Sequence, residues 1–178
     1  MISVVIATLN SAPHLVRALG PLVSGVAEGL VKEAIVADAG SSDDTVKIAE
    51  GAGCTIVRGG ERAGAGIAKG DWLLFLKPSV MLEAGWIEEA RRFTQRGRMR
   101  AAAFRFALDD DSSKARRSEF IANAAAAMLK APREEQGLLI SRALYDSCGG
   151  WGDDYSEFVH RIGGARLFLL RTAAVHAN

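Results

Sequence analysis

Residues 32–45 read KEAIVADAGSSDDT, and the fold turns on this stretch. An apolar run closes on Asp38, Gly40 permits a tight turn, and Ser41 and Ser42 can cap a following helix. Asp43 and Asp44 suit the positive end of that helix. The reading is therefore strand, glycine turn, acidic helix start. Capping accounts for the serines and the later aspartates. Asp38 is different, because a carboxylate at the end of a buried strand can accept from a base N–H or a ribose hydroxyl.

The same alternation extends outward in both directions. ISVVIAT (2–8) is a β-branched strand ending at Asn10-Ser11, and 14–30 carries Leu15, Leu19, Leu22, Val26 and Leu30 at helical spacing. Pro21 is expected to kink or break that helix. Downstream come a helix in 45–53, a strand in 54–59, a glycine-rich connection across 59–70 and a strand in 71–77. An amphipathic helix is expected over 82–97, a strand over 100–109 and a helix over 116–130. The remainder reads as a short strand and helical turn in 135–151, a helix near 154–163 and a strand over 165–171. This pattern predicts one α/β domain over 1–178, with a mostly parallel sheet and helices on both faces. Ligands in such sheets sit beyond the carboxyl ends of the strands. The loops at 8–10, 38–41 and 77–79 should therefore converge on one crevice.

Composition narrows the classes. The chain has 178 residues, 49% hydrophobic and 24% charged, with a net charge of +1, so bulk electrostatics gives no reason to expect a nucleic-acid partner. Cys54 and Cys148 stand alone and suit neither a disulfide framework nor a zinc site. The N-terminus opens on a strand and no window reaches membrane-span length, so a cytoplasmic protein is expected. Basic clusters at 90–100 and 114–117 flank the apolar run FIANAAAAMLK (120–130). Two readings stay open for them: a solvated helix face, or peripheral docking on anionic lipid at the inner face of a membrane. The aspartates at 109–111 splay in a loop and read as solvated, GAGIAKG (64–70) precedes a strand and fails as a dinucleotide loop, and the three histidines lack ligand spacing.

Four blocks in order carry a family resemblance. SVVIATLN and IVADAGSSDDT are similar to the S-V-V-I-P-x-x-N and V-V-D-x-G-S-x-D-x-T of family 2 glycosyltransferases of GT-A fold. KGDWLLFLKPSVMLEAGW resembles the family's G-D-x-L-x-F-L-(D/H)-A-D block and the tryptophan after it, and EEQGLLISRALYDSCGGW resembles the G-D-Q-G block of one bacterial branch. The resemblance implies a nucleotide-diphosphate-sugar donor and an acceptor that is a glycan, a lipid or a small molecule. It implies that Thr8 and Asn10 line the nucleotide pocket, that Asp38 contacts the base, and that Arg62 approaches base or phosphate. It also implies a divalent metal (Mg or Mn) at the loop 77–79 and an acidic general base after Trp151.

The sequence departs from the family at that loop. Lys77 and Ser79 stand where the metal-binding carboxylates belong, and an ammonium repels a cation. A Lys77 beside the diphosphate can instead neutralise it, giving a metal-independent hexosyl-type transfer; a solvated strand-end lysine is the other reading. The glycine-rich segment before 71–77 is also shorter than the family's. The acidic motif after Trp151 is compressed, and its two registers name Asp154, with Asp153 beside it, or leave the base missing. The leading expectation is transfer of a sugar from a nucleotide donor, with Lys77 or Arg62 on the diphosphate. The alternative is a degenerate GT-A domain that binds nucleotide or a protein partner without turnover. A nucleotidyltransferase shares the sheet logic but needs the missing carboxylates.

Overall fold

The computed structural model describes residues 1–110, 112–152 and 154–177. The first half alternates: β1 (Ile2–Thr8), α1 (Ala12–Ala27), β2 (Val31–Asp38), α2 (Thr45–Gly51), β3 (Thr55–Arg58), α3 (Glu61–Ile67) and β4 (Trp72–Leu76). The second half runs β5 (Val80–Leu82), α4 (Trp86–Thr94), β6 (Ala101–Leu108), α5 (Ser113–Ala124), β7 (Leu138–Ser141), α6 (Arg142–Ser147), α7 (Tyr155–Ile162) and β8 (Leu167–His176). A π turn over Ala125–Leu129 extends α5, and a 3-10 turn over Glu134–Gln136 precedes β7.

Among the described residues eight strands join one sheet in the order β3-β2-β1-β4-β7-β6-β8-β5. Strands β3, β2, β1 and β4 are mutually parallel, and so are β6 and β8. Strand β7 inserts antiparallel between β4 and β6, and β5 caps the far edge antiparallel to β8. The α/β architecture with a mostly parallel sheet is the one that the alternation predicts, and its GT-A-like form is the one that the family resemblance implies.

Alternation along the central strands feeds two cores. Ile2, Val4 and Ile6 of β1, with Leu74 and Leu76 of β4, face α1 and α4. Val5, Leu73 and Phe75 face the other way, against α3, α6 and α7. Burial on both faces explains why these strands read as continuous apolar runs. Phe75 anchors the second core, its ring centroid 4.6 Å from that of Trp151.

Three elements differ from the sequence expectation. The glycine-rich connection contains a helix, α3, because Gly64 is a contact surface rather than a hinge: a Cβ there would lie 2.5 Å from Val5 Cγ1. Helix α1 continues through Pro21. Strand β8 runs on to His176 because its second half pairs with both β6 and the short strand β5, which is separated from β4 by only three residues.

Candidate functional site

Parallel register sets the site. Thr8 pairs with Asp38 and Ile6 with Leu76, so β1, β2 and β4 end side by side. Beyond their ends lies a cleft of about 440 Å³ lined by Thr8, Ala37, Ala39, Gly60, Glu61, Lys77, Ser79 and Glu135, among others. The expected convergence of these three loops is what the fold produces.

The loop after β2 is held by its own side chains. Asp38 is buried, and its Oδ1 accepts from Thr8 Oγ1 at 2.9 Å and from Ser41 Oγ at 2.5 Å. Its Oδ2 accepts from the N–H groups of Gly40 (2.9 Å) and Ser41 (2.8 Å). Burial pushes the Asp38 pKa up, but the bonds from Ser41, Thr8 and Gly40 outweigh it and hold the carboxyl below the usual aspartate range. These four bonds fill the acceptor positions of one carboxylate. A base N–H reaching Asp38 must displace one of them. The flanking Ala37 and Ala39 meet the cleft directly.

Asn10 acts as a clip between loops. It adopts a left-handed φ of 50°, its N–H donates to Ser41 Oγ at 2.8 Å, and its Oδ1 accepts from the Ser42 N–H at 2.9 Å. Asp43 makes a second clip, accepting from the N–H of Ala12 at 3.1 Å and from Thr45. Ser41 and Ser42 therefore do not cap α2 as the sequence suggests. Asp44 occupies that position without a side-chain bond to the helix backbone, its carboxylate accepting instead from Lys47 Nζ at 2.7 Å.

Lys77 sits in a nest of carboxylates. Its ammonium lies 3.7 Å from Glu61 Oε1 and is ion-paired with Glu134, while Glu135 lines the same cleft. Burial pushes the Lys77 pKa down, but the bond from Glu134 and the charges of Glu134, Glu61 and Glu135 more than offset it, so the lysine stays protonated. Ser79 lies within 3.2 Å of His176 Nδ1 through its hydroxyl, which ties the loop to the end of β8.

Glu134 and Glu135 are positioned by their neighbours. Gln136 is fully buried, its Nε2 donating to Phe104 O at 2.8 Å and its Oε1 accepting from Arg133 N–H at 2.9 Å. Gly137 has a φ of 63°, and a Cβ there would come within 2.8 Å of Leu76. The turn is thus pinned to the end of β4. Glu134 and Glu135 fall within the EEQG motif block, yet neither they nor Glu61 are among the site residues expected from the sequence.

Two expected site residues sit elsewhere. Arg62 is exposed and lines a separate cavity with Tyr145, Gly149 and Gly150. Adjacent helical residues point about 100° apart, so Glu61 faces the cleft and Arg62 does not. Asp154 is exposed and caps α7, its Oδ1 accepting from the Glu157 N–H at 2.8 Å. Its neighbour Tyr155 lines a narrow gap with Lys77, Glu134 and Trp151. Burial, then the charges of Glu134 and Glu135, raises the Tyr155 pKa far above the usual phenol range, so the hydroxyl stays a donor, to Arg133 O at 3.3 Å. Asp153 and Asp111 lie outside the described residues.

A sheet of this order, with its crevice beyond adjoining parallel strand ends, has the GT-A form. A model of glycosyl transferase family 2 matches residues 3–141, and the chain belongs to that family. No curated protein matches it. Among solved structures, residues 1–349 of S. aureus TarS in complex with UDP-GlcNAc superpose with a TM-score of 0.76 at 13% identity, over 99% of this chain and 58% of that one. Glucosyl-3-phosphoglycerate synthase from Mycobacterium tuberculosis, in complex with Mn2+, UDP and glucosyl-3-phosphoglycerate, gives a TM-score of 0.66 at 21% identity, over 100% of this chain and 72% of that one. Both likenesses show the fold. The chain spans less than two thirds of the TarS fragment.

The donor set around Lys77 does not suit the divalent cation that the fold implies. Among the described residues no cluster of three or more His, Cys, Asp or Glu side chains could hold a metal ion. The nearest carboxylates, Glu61 and Glu134, already face an ammonium.

Proposed function

We propose that this domain transfers a sugar from a nucleotide-diphosphate donor to an acceptor hydroxyl. The observation that carries the reading is the cleft beyond β1, β2 and β4, lined by Thr8 and the 77–79 loop, in a chain of glycosyl transferase family 2. In this scheme the nucleoside lies against Thr8, Ala37 and Ala39, with Asn10 and Asp38 holding the loops that shape its pocket. The donor diphosphate displaces Glu134 from Lys77, and the ammonium neutralises charge on the leaving group. Two carboxylates can take the acceptor proton: Glu135, within the cleft, and Asp154, next in sequence to Tyr155. No step is assigned to a metal. The two neighbours named above were crystallised with UDP or a UDP-sugar, which makes UDP the first probe.

A second reading has its own support. The Asp38 carboxylate is internally satisfied and Lys77 is ion-paired, as expected of a degenerate domain that binds nucleotide or a partner without turnover. Release of UDP from UDP-GlcNAc and UDP-glucose, with and without EDTA, separates the two. Release that persists in EDTA supports metal-independent transfer. UDP binding without release supports the second reading, and the absence of both removes the nucleotide-sugar proposal.

A further inference from the structure

Helix α5 and its π turn have an inverted distribution of side chains. The buried positions are small, Ala115, Ala122 and Ala126, whereas the large apolar residues point outward. Phe120 is 74% exposed, Ile121 51%, Met128 81% and Leu129 75%. At α-helical spacing, Arg116, Arg117, Phe120, Ile121, Ala124 and Met128 fall along one strip opposite the alanines. An apolar strip of this size in water is costly and marks an interaction surface.

Charge identifies what covers it. Lys114, Arg116 and Arg117 flank the strip at one end, and Lys130 and Arg133 follow it at the other. Glu119, the acidic residue within the helix, is turned inward, its Oε1 accepting from the Leu108 N–H at 2.7 Å. Protruding apolar groups between clusters of cations match a bilayer with anionic headgroups, in which the apolar groups enter the acyl boundary and the cations meet phosphates. We propose that the α5 strip docks this domain on an anionic membrane surface. The strip leads, through Lys130–Arg133, into the turn that carries Glu134 and Glu135, so docking would hold the cleft close to the lipid interface. The inference stands apart from the proposed transfer, because membrane binding is read without donor or turnover.

Sedimentation of the purified chain with phosphatidylcholine vesicles, with and without phosphatidylglycerol, tests it. Binding is expected to the anionic vesicles and to weaken with salt. Phe120→Ser and Met128→Ser should each lower partitioning about tenfold, and Arg116→Gln and Arg117→Gln about fivefold each. Circular dichroism should be unchanged, since all four side chains are exposed. Failure of the chain to sediment with anionic vesicles overturns the proposal, as does binding insensitive to either pair of substitutions. A dimer by light scattering that Phe120→Ser and Met128→Ser dissolve would also overturn it, because a second copy would then cover the strip.

Discussion

Removing Lys77 and freeing Lys77 should change nucleotide affinity in opposite directions. Its ammonium sits at the end of β4, ion-paired with Glu134 and 3.7 Å from Glu61. A diphosphate entering the cleft exchanges a carboxylate for a phosphate on the same cation. A hydrogen bond to a charged group contributes about 1.5–3 kcal/mol; with the side chain 34% exposed, screening places this one near the lower figure. Lys77→Ala should therefore weaken UDP about tenfold and leave uridine, which carries no phosphate, unchanged. Glu134→Gln removes the competing charge, and a pair of this exposure contributes up to about 1 kcal/mol. That substitution should strengthen UDP binding by as much as about fivefold. Isothermal titration of both ligands against the three proteins reads all these values. Equal losses of UDP and uridine in Lys77→Ala, or weaker UDP binding in Glu134→Gln, would refute the exchange.

Three further outcomes follow from particular contacts. Asp38→Asn removes acceptor capacity and charge from the node joining the loops after β1 and β2, and should lower stability by about 1–3 kcal/mol, read by urea denaturation. Because the folded pKa of Asp38 lies below its ordinary value of 3.8, its contribution is complete above that pH and is lost as the pH falls through the lower folded value. The wild-type and Asp38→Asn stabilities should thus converge in acid, and a constant difference would contradict the linkage. Gly64→Val places branched carbons where even a Cβ meets Val5 at 2.5 Å; overpacking of about 1–3 kcal/mol is expected, and a melting temperature equal to wild type would show that α3 can move away. If Glu135 is the base, Glu135→Gln lowers the UDP-release rate about a hundredfold or more with little change in UDP affinity, whereas Asp154→Asn leaves the rate within a few-fold. The reverse ranking would return the role to Asp154.

Much of this architecture is legible in the sequence because it rests on local periodicity. The runs at 2–8, 32–38 and 71–77 are strands buried on both faces, and the rule for parallel sheets brings Thr8, the 38–41 loop and Lys77 to one cleft. Helix α3 is hidden because five of the twelve residues in 59–70 are glycines, and composition does not reveal that Gly64 serves close packing against Val5. The family resemblance implies Arg62 at the site, whereas the helix turns its neighbour Glu61 to the cleft and Arg62 to a separate cavity. Glu134 and Glu135 were not legible as site residues for a topological reason. They reach Lys77 only because β7 inserts antiparallel beside β4 and Gln136 and Gly137 pin the preceding turn there. Nothing in the spacing between residues 77 and 134 encodes that meeting.

In the proposed scheme one cleft, bounded by the ends of β1, β2 and β4, receives a nucleotide diphosphate. Amide chemical-shift mapping during a UDP titration, repeated in EDTA, tests it most directly. The largest changes should fall on Thr8–Ser11, Ala37–Ser41 and Lys77–Ser79, with and without chelator. Changes confined to other surfaces, or none at saturating UDP, would contradict it.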